Sequence, residues 1–149
     1  MIKADSNMAI GQEIEPRSHE ISQEKINTYS RYVFYGKDLK NIHTDDETAR
    51  RAGLPGAIAQ GRYPVGYLSE YLLAFFGTGW IQGGKLEVSM IKPIFPGDTI
   101  TLRGKLKDKI QEGKAVRLSL DVWIENQKGD QTTVGTASGI VWEGEKKNG

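Results

Sequence analysis

His43 is one of two histidines in the 149-residue chain, and it stands five residues after Asp38. A histidine beside a carboxylate supplies a base that works near neutral pH. The segment between them, Gly36 to Ile42, has no hydrophobic period and reads as a loop, which leaves both side chains free to turn toward one point. Eighteen residues beyond His43 comes Gly61, which opens a long apolar helix. The first amides of a helix lack partners and carry the positive end of its dipole, so this start is suited to a developing oxyanion. The stretch from Tyr35 to Ser69 therefore combines a candidate base with a candidate oxyanion donor, a pairing suited to proton transfer beside a polarised carbonyl. The plainer reading of His43 is a polar residue ahead of a helix. Asp38, unlike Asp45 and Asp46, has no helix-capping role to explain it.

The elements that must position these groups are legible around them. Ser22 caps an expected helix that runs to about Phe34, with Ile26, Tyr29, Val33 and Tyr32 on its apolar side and Gly36 as its stop. Thr44-Asp45-Asp46-Glu47 has the form of a capping box, Thr44 taking the Glu47 amide and Glu47 reaching back. That helix continues through Ala49 to Ala52 and ends at Gly53, followed by a Leu54-Pro55-Gly56 turn. The main helix spans Gly61 to Phe76, where Val65, Leu68, Leu72, Phe75 and Phe76 recur at steps of three and four. Pro64 falls in its first turn, where a missing N–H does no harm, and Gly77 closes it. Gly66 costs about 1 kcal/mol relative to alanine in a helix interior, which implies close approach of another backbone.

A short strand is expected at Arg17 to Ile21, and beyond Gly77 the period changes to two. Leu86, Val88 and Met90 alternate with polar or outward residues; so do Ile100, Leu102 and Leu106, then Val116 to Ile124, then Val134 to Trp142. The links Phe95-Pro96-Gly97-Asp98, Glu112-Gly113 and Lys128-Gly129-Asp130 look like three successive hairpin connections, the first a type II turn. One apolar helix and one antiparallel sheet bury each other, which gives a single α+β domain with the sheet wrapped around the helix. Residues 1–10 and 144–149 are expected to be loose. Open sheet edges favour pairing with a second copy, as a homodimer or a dimer of dimers.

Composition removes several classes of function. The formal charge is +1, so no global field points to nucleic acid or to a membrane surface. There is no cysteine, which excludes disulfides, thiolate catalysis and cysteine-ligated zinc and fits a cytoplasmic location. The first fifteen residues lack the apolar core of a signal peptide, and no apolar run reaches the ~20 residues a spanning helix needs.

Asp38, His43, Thr44-Asp45, Ala49, Gly53 and Ile58-Ala59-Gln60-Gly61 together resemble the MaoC-like (R)-specific enoyl-CoA hydratase and dehydratase family, which adopts the hotdog fold. The family pattern has Asp, any residue, Asn, Pro, an aliphatic, His, any residue, Asp, and later a His-Gly pair that opens the central helix. The resemblance continues through Ser69 and Lys92-Pro93-Ile94-Phe95-Pro96-Gly97-Asp98 to Gly135-Thr136-Ala137, covering roughly residues 10 to 143. It implies a hydro-lyase that adds water to 2-enoyl-CoA thioesters or dehydrates 3-hydroxyacyl-CoA thioesters. Asp38 and His43 match the pair that holds and activates the water. Gly61 matches the glycine whose amide binds the thioester oxygen, and Ser69 matches a serine that hydrogen-bonds the aspartate. No metal or redox cofactor is implied; coenzyme A enters as part of the substrate, with an acyl carrier protein thioester as the other possible form.

Three positions depart from the pattern: Lys40 replaces Asn, Asn41 replaces Pro, and Gln60 replaces His. Lys40 adds a cation that, if turned inward, favours ionised Asp38. Asn41 suits a turn without the rigidity of proline. Gln60 keeps hydrogen bonding at the substrate site but cannot titrate. The catalytic groups are thus present with altered support, which points to a changed substrate or a weaker hydratase. Arg62 and Lys92 are candidates for contact with coenzyme A phosphates, and solvated charge is the plainer reading of each. Without the resemblance, Ser69 is a small helix-face residue satisfied by its own preceding turn. His19 reads as a surface histidine, and Tyr63, Tyr67, Tyr71, Trp80 and Trp123 as core or interface aromatics. Two rival functions remain: a hotdog thioesterase, for which Glu70 is the one carboxylate in the central helix, and a non-catalytic acyl-thioester-binding subunit.

Overall fold

Alternating apolar residues build a five-stranded antiparallel sheet in a computed structural model that describes residues 2–144. Its strands are β1 (Arg17–Glu20), β2 (Lys85–Met90), β3 (Thr99–Glu112), β4 (Ala115–Glu125) and β5 (Gln131–Trp142). The helices are α1 (Gln23–Val33), α2 (Asp46–Arg51), α3 (Arg62–Phe76) and α4 (Thr78–Gly83). The strand order is β1-β3-β4-β5-β2. Only two of the three expected hairpins form, β3 to β4 and β4 to β5. The turn at Phe95 to Asp98 does form as its sequence demands, with Gly97 at φ +90° and the Asp98 amide donating to the Phe95 carbonyl at 3.1 Å. It leads, however, into a crossover, because β2 pairs with β5 and β3 pairs with β1 and β4.

The inner face of the sheet carries Ile100, Leu102, Leu106, Leu118, Leu120 and Ile124, all buried, against Leu68, Tyr71, Leu72 and Phe75 of α3. Full burial of such a side chain contributes about 1.5–3 kcal/mol, and trimming one, as in Leu72→Ala, costs about 2–5 kcal/mol. Helix and sheet meet closely at Gly139, where an added Cβ would lie 2.6 Å from the Phe76 ring. On β5 the shared face of Val134, Thr136, Ser138, Ile140 and Trp142 is the outer one; register sets Thr133, Gly135, Ala137 and Gly139 opposite the inward residues of β4.

Local chemistry explains the helix ends, with two corrections. Ser22 caps α1 as expected, accepting from the Lys25 amide at 3.2 Å. Of its expected apolar face, Ile26 is buried but Tyr32 and Val33 are exposed. The cap of α2 is Asp45, not Thr44: the Asp45 carboxylate accepts from Thr48, while the Thr44 hydroxyl donates to the Leu39 carbonyl at 2.6 Å. Glu47 pairs with Arg51 instead of closing a capping box. α3 ends at Gly77, whose φ is +62° and whose amide donates to Leu73 at 2.8 Å. The close backbone approach expected at Gly66 is not made, since nothing lies within 4 Å of an added Cβ there.

α4 has no strong sequence signal. It covers β5 beyond the residues that β2 pairs, with Gly79 against the Ile140 carbonyl and Trp142 donating to Gln82 at 2.7 Å. Part of the lead-in is held: the Ala4 amide donates to Phe75 at 2.9 Å, Met8 is buried, and Glu13 bridges Lys105 of β3. Residues 145–149, where the end was expected to fray, lie outside the described residues. Among the described residues no helix is long and apolar enough to cross a membrane.

Candidate active site

The site begins where α1 stops. Gly36 donates to the Arg31 carbonyl at 2.8 Å and Tyr35 to Tyr32 at 3.4 Å, the double bond pattern that closes a helix on a left-handed residue. That residue is Tyr35, at φ +55°, and its side chain is 96% exposed. The chain then enters the loop that carries Asp38.

Asn41 organises the approach to His43. Its side-chain oxygen accepts the His43 amide at 2.8 Å, its own amide donates to Thr44 Oγ1 at 3.1 Å, and its carbonyl accepts from Thr44 and Asp45. Hydrogen bonds thus supply the support that proline gives in the family pattern. Gln23 of α1 adds a bond from Nε2 to the His43 carbonyl at 2.9 Å.

The half-buried ring of His43 is fixed by one contact, with Nδ1 2.9 Å from the Ile58 carbonyl oxygen. A carbonyl only accepts, so in the neutral ring the proton sits on Nδ1 and Nε2 keeps the free lone pair. Three residues after Ile58 the chain reaches Gly61, the cap of α3, where no side chain caps the helix. Among the described residues the Gly61 and Arg62 amides form no backbone hydrogen bond, which leaves donors at the positive end of a fifteen-residue helix. Gln60 ties this start to α1, its Nε2 donating to the Ile26 carbonyl at 3.2 Å, while its Oε1 is buried without a partner.

The remaining expected residues are not drawn into one cluster. Asp38 is paired with Arg31 at 2.9 Å and is 78% exposed at its side chain; neither His43 nor Ser69 is bonded to it. Its cation is Arg31, not Lys40, which is exposed. Ser69 accepts from Trp80 Nε1 at 3.4 Å, so the expected Ser69–Asp38 bond is not formed in this chain. Arg62 is exposed, and Lys92 is paired with Asp130 at 3.4 Å. Glu70, the carboxylate a thioesterase would draw from this helix, is exposed and paired with Arg17 at 3.4 Å.

His19 is a correction. Register places it on the inner face of β1, opposite Ile100, and its ring stacks on Tyr67 with centroids 3.9 Å apart. Its Nε2 is buried without a partner, and burial lowers its pKa from 6.5, with Glu70 pulling partly the other way. The stack continues through Tyr63, whose hydroxyl lies 3.1 Å from that of Tyr67, to Tyr29 of α1. Tyr71 is fully buried and Trp80 packs on Phe76, while Trp123 bonds Glu125 on the outer face. Sequence reasoning missed Arg31, Ile58 and Trp80 as partners of the site; a guanidinium seven residues before Asp38 is the one signal that was present.

A sheet wrapped on a central helix, with its candidate site at that helix's start, is a hotdog fold. The chain belongs to the family of MaoC-like domains, whose model matches residues 5–137. Among solved structures, a MaoC-like dehydratase from Rhodospirillum rubrum is similar at 21% identity and TM-score 0.71, with 91% of this chain and 94% of that chain covered. An (R)-hydratase from A. caviae involved in PHA biosynthesis is similar at 18% identity and TM-score 0.70, covering 91% and 98%. A 3R-hydroxyacyl-ACP dehydratase complex, HadBC from Mycobacterium tuberculosis, is similar at 16% identity and TM-score 0.66, covering 94% and 100%. No curated protein matches the chain.

Proposed function

We propose that this protein is a hydro-lyase acting on 2-enoyl or 3-hydroxyacyl thioesters, with coenzyme A or an acyl carrier protein as the thiol carrier. The bond between His43 Nδ1 and the Ile58 carbonyl carries this reading. It leaves Nε2 as the basic nitrogen and ties it, through three residues of backbone, to the unpaired amide of Gly61. In hydration, His43 takes a proton from water as the water oxygen bonds to C3. The C2–C3 π electrons move toward the carbonyl, and charge builds on the thioester oxygen. The Gly61 amide holds that oxygen, a contribution of about 3–4 kcal/mol for one well-placed donor. C2 then takes up a proton, so one water is consumed and no net proton. Asp38 orients the water after leaving Arg31, and the reverse sequence dehydrates a 3-hydroxyacyl ester. No resident metal or redox cofactor enters these steps. Support for a homodimer or dimer of dimers comes from β2, which among the described residues pairs on one side only and is followed by exposed Ile91. The absence of cysteine supports placing it in the cytoplasm.

One observation favours a second reading. The Arg31–Asp38 pair leaves the carboxylate away from His43, as a non-catalytic acyl-thioester-binding subunit would tolerate. A panel of enoyl-CoAs separates the readings. Loss of the conjugated chromophore without thiol release is the expected result. Thiol release instead indicates a thioesterase, and calorimetric binding with neither signal indicates the non-catalytic subunit.

A further inference from the structure

Met90 lies directly against Gly61. A Cβ built on Gly61 would fall 2.2 Å from Met90 Sδ and 3.2 Å from its Cε. Met90 is the last residue of β2, opposite Thr133, on the same inward face as Leu86 and Val88. Those two residues are partly buried against the core, whereas Met90 is 54% exposed. Its thioether end therefore lies against Gly61 while much of the residue faces solvent. Methionine is unbranched and flexible, so such a side chain can fill an irregular gap.

We propose that Met90 determines specificity at this site by occupying the space that a substituent on C2 of the acyl thioester would need. The inference rests on the hydro-lyase reading. A thioester oxygen bound to the Gly61 amide lies about 3 Å from that nitrogen. C2 is two bonds from the oxygen. Met90 Sδ and Cε fill the space beside Gly61, and on this reading a methyl group on C2 would meet them where a hydrogen would not. The wild-type protein thus favours esters unsubstituted at C2. A single methyl group meeting a filled apolar wall changes kcat/KM by about 10- to 200-fold.

The test compares 2-butenoyl-CoA with 2-methyl-2-butenoyl-CoA in the full-length protein, Met90→Ala and Met90→Leu. Binding of the unreactive butyryl-CoA and 2-methylbutyryl-CoA is measured by calorimetry alongside. Met90→Ala should narrow the kcat/KM preference for the unbranched ester by at least ~10-fold, while Met90→Leu keeps the wild-type ratio. The affinities of the saturated esters should move in parallel. A Met90→Ala ratio within twofold of wild type overturns the inference. If wild type turns over neither unsaturated ester, the hydro-lyase reading fails for short coenzyme A esters and the saturated esters decide Met90 alone. An unchanged affinity ratio in Met90→Ala then overturns the inference, and a narrowed ratio upholds it.

Discussion

Arg31 holds the Asp38 carboxylate at 2.9 Å, so the acid that stands five residues from His43 is engaged by the end of α1 and not by the imidazole. Both partners are more than half exposed. A pair this open to water is worth about 0–1 kcal/mol, so its release is a small expense against the binding of a substrate.

Asp38→Asn and His43→Ala should each lower hydration of an enoyl-CoA by at least ~100-fold, the scale of a lost general base or water-orienting group. Circular dichroism should be unchanged, since Asp38 is exposed and His43 lies outside the buried core. Near-wild-type turnover in either variant would remove that residue from the mechanism.

Arg31→Gln frees Asp38. If Arg31 competes with the site for the carboxylate, kcat should rise by up to ~5-fold, the equivalent of ~1 kcal/mol. Added salt screens the same pair, so wild-type kcat should rise with ionic strength and the variant should lose that response. A fall in kcat for Arg31→Gln, at unchanged melting temperature, would instead make Arg31 a residue that positions Asp38 for the reaction.

The half-buried stack on Tyr67 makes His19 a source of acid sensitivity. Its folded pKa is lowered from 6.5 by burial, so below that value the unfolded chain binds the additional proton. The contribution to stability is complete above pH 6.5 and is lost as pH falls through the lowered folded value. Denaturant titrations should show wild type weakening through this range relative to His19→Phe, which keeps an aromatic ring without the titrating nitrogen. Parallel profiles for the two proteins would contradict this.

Tyr35→Gly should stabilise the protein. The φ of +55° costs a non-glycine residue about 1 kcal/mol, and the 96% exposed ring gives up almost no buried area in this chain when removed. A gain of about 0.5–1 kcal/mol in the unfolding free energy from chemical denaturation is expected, reduced from the full strain by the greater freedom of glycine in the unfolded chain. A loss of stability would indicate that the Tyr35 ring is covered in the assembled protein.

The central helix and the inward residues of β3 and β4 are legible in the sequence because burial imposes a period, and Leu68, Leu72, Leu118 and Leu120 obey it. Strand order is not legible. Pro96-Gly97 specifies a turn but does not say which strand will pair with the next one, and here it carries the chain across the sheet. At the site, His43 and Gly61 stand out by type and spacing, whereas the contact that fixes His43 comes from a backbone carbonyl, which every residue has. Thr44 and Asp45 satisfy the same capping rule, and only the pull of the Leu39 carbonyl on Thr44 decides between them. His19 misleads because its strand has few apolar neighbours, although the helix opposite supplies an aromatic surface for it.

The crossover after β2 also bears on the order of assembly. β3, β4 and β5 form a meander whose pairings close across short turns, but β2 must find β5 over a long separation in sequence. Contacts of that kind bear the larger loop-closure cost and form late. Met90 rides on this edge strand, so the wall beside Gly61 is expected to be among the last parts of the sheet laid down and the first to open. Hydrogen exchange should accordingly be slowest in β4 and faster in β2 wherever no second copy covers that edge.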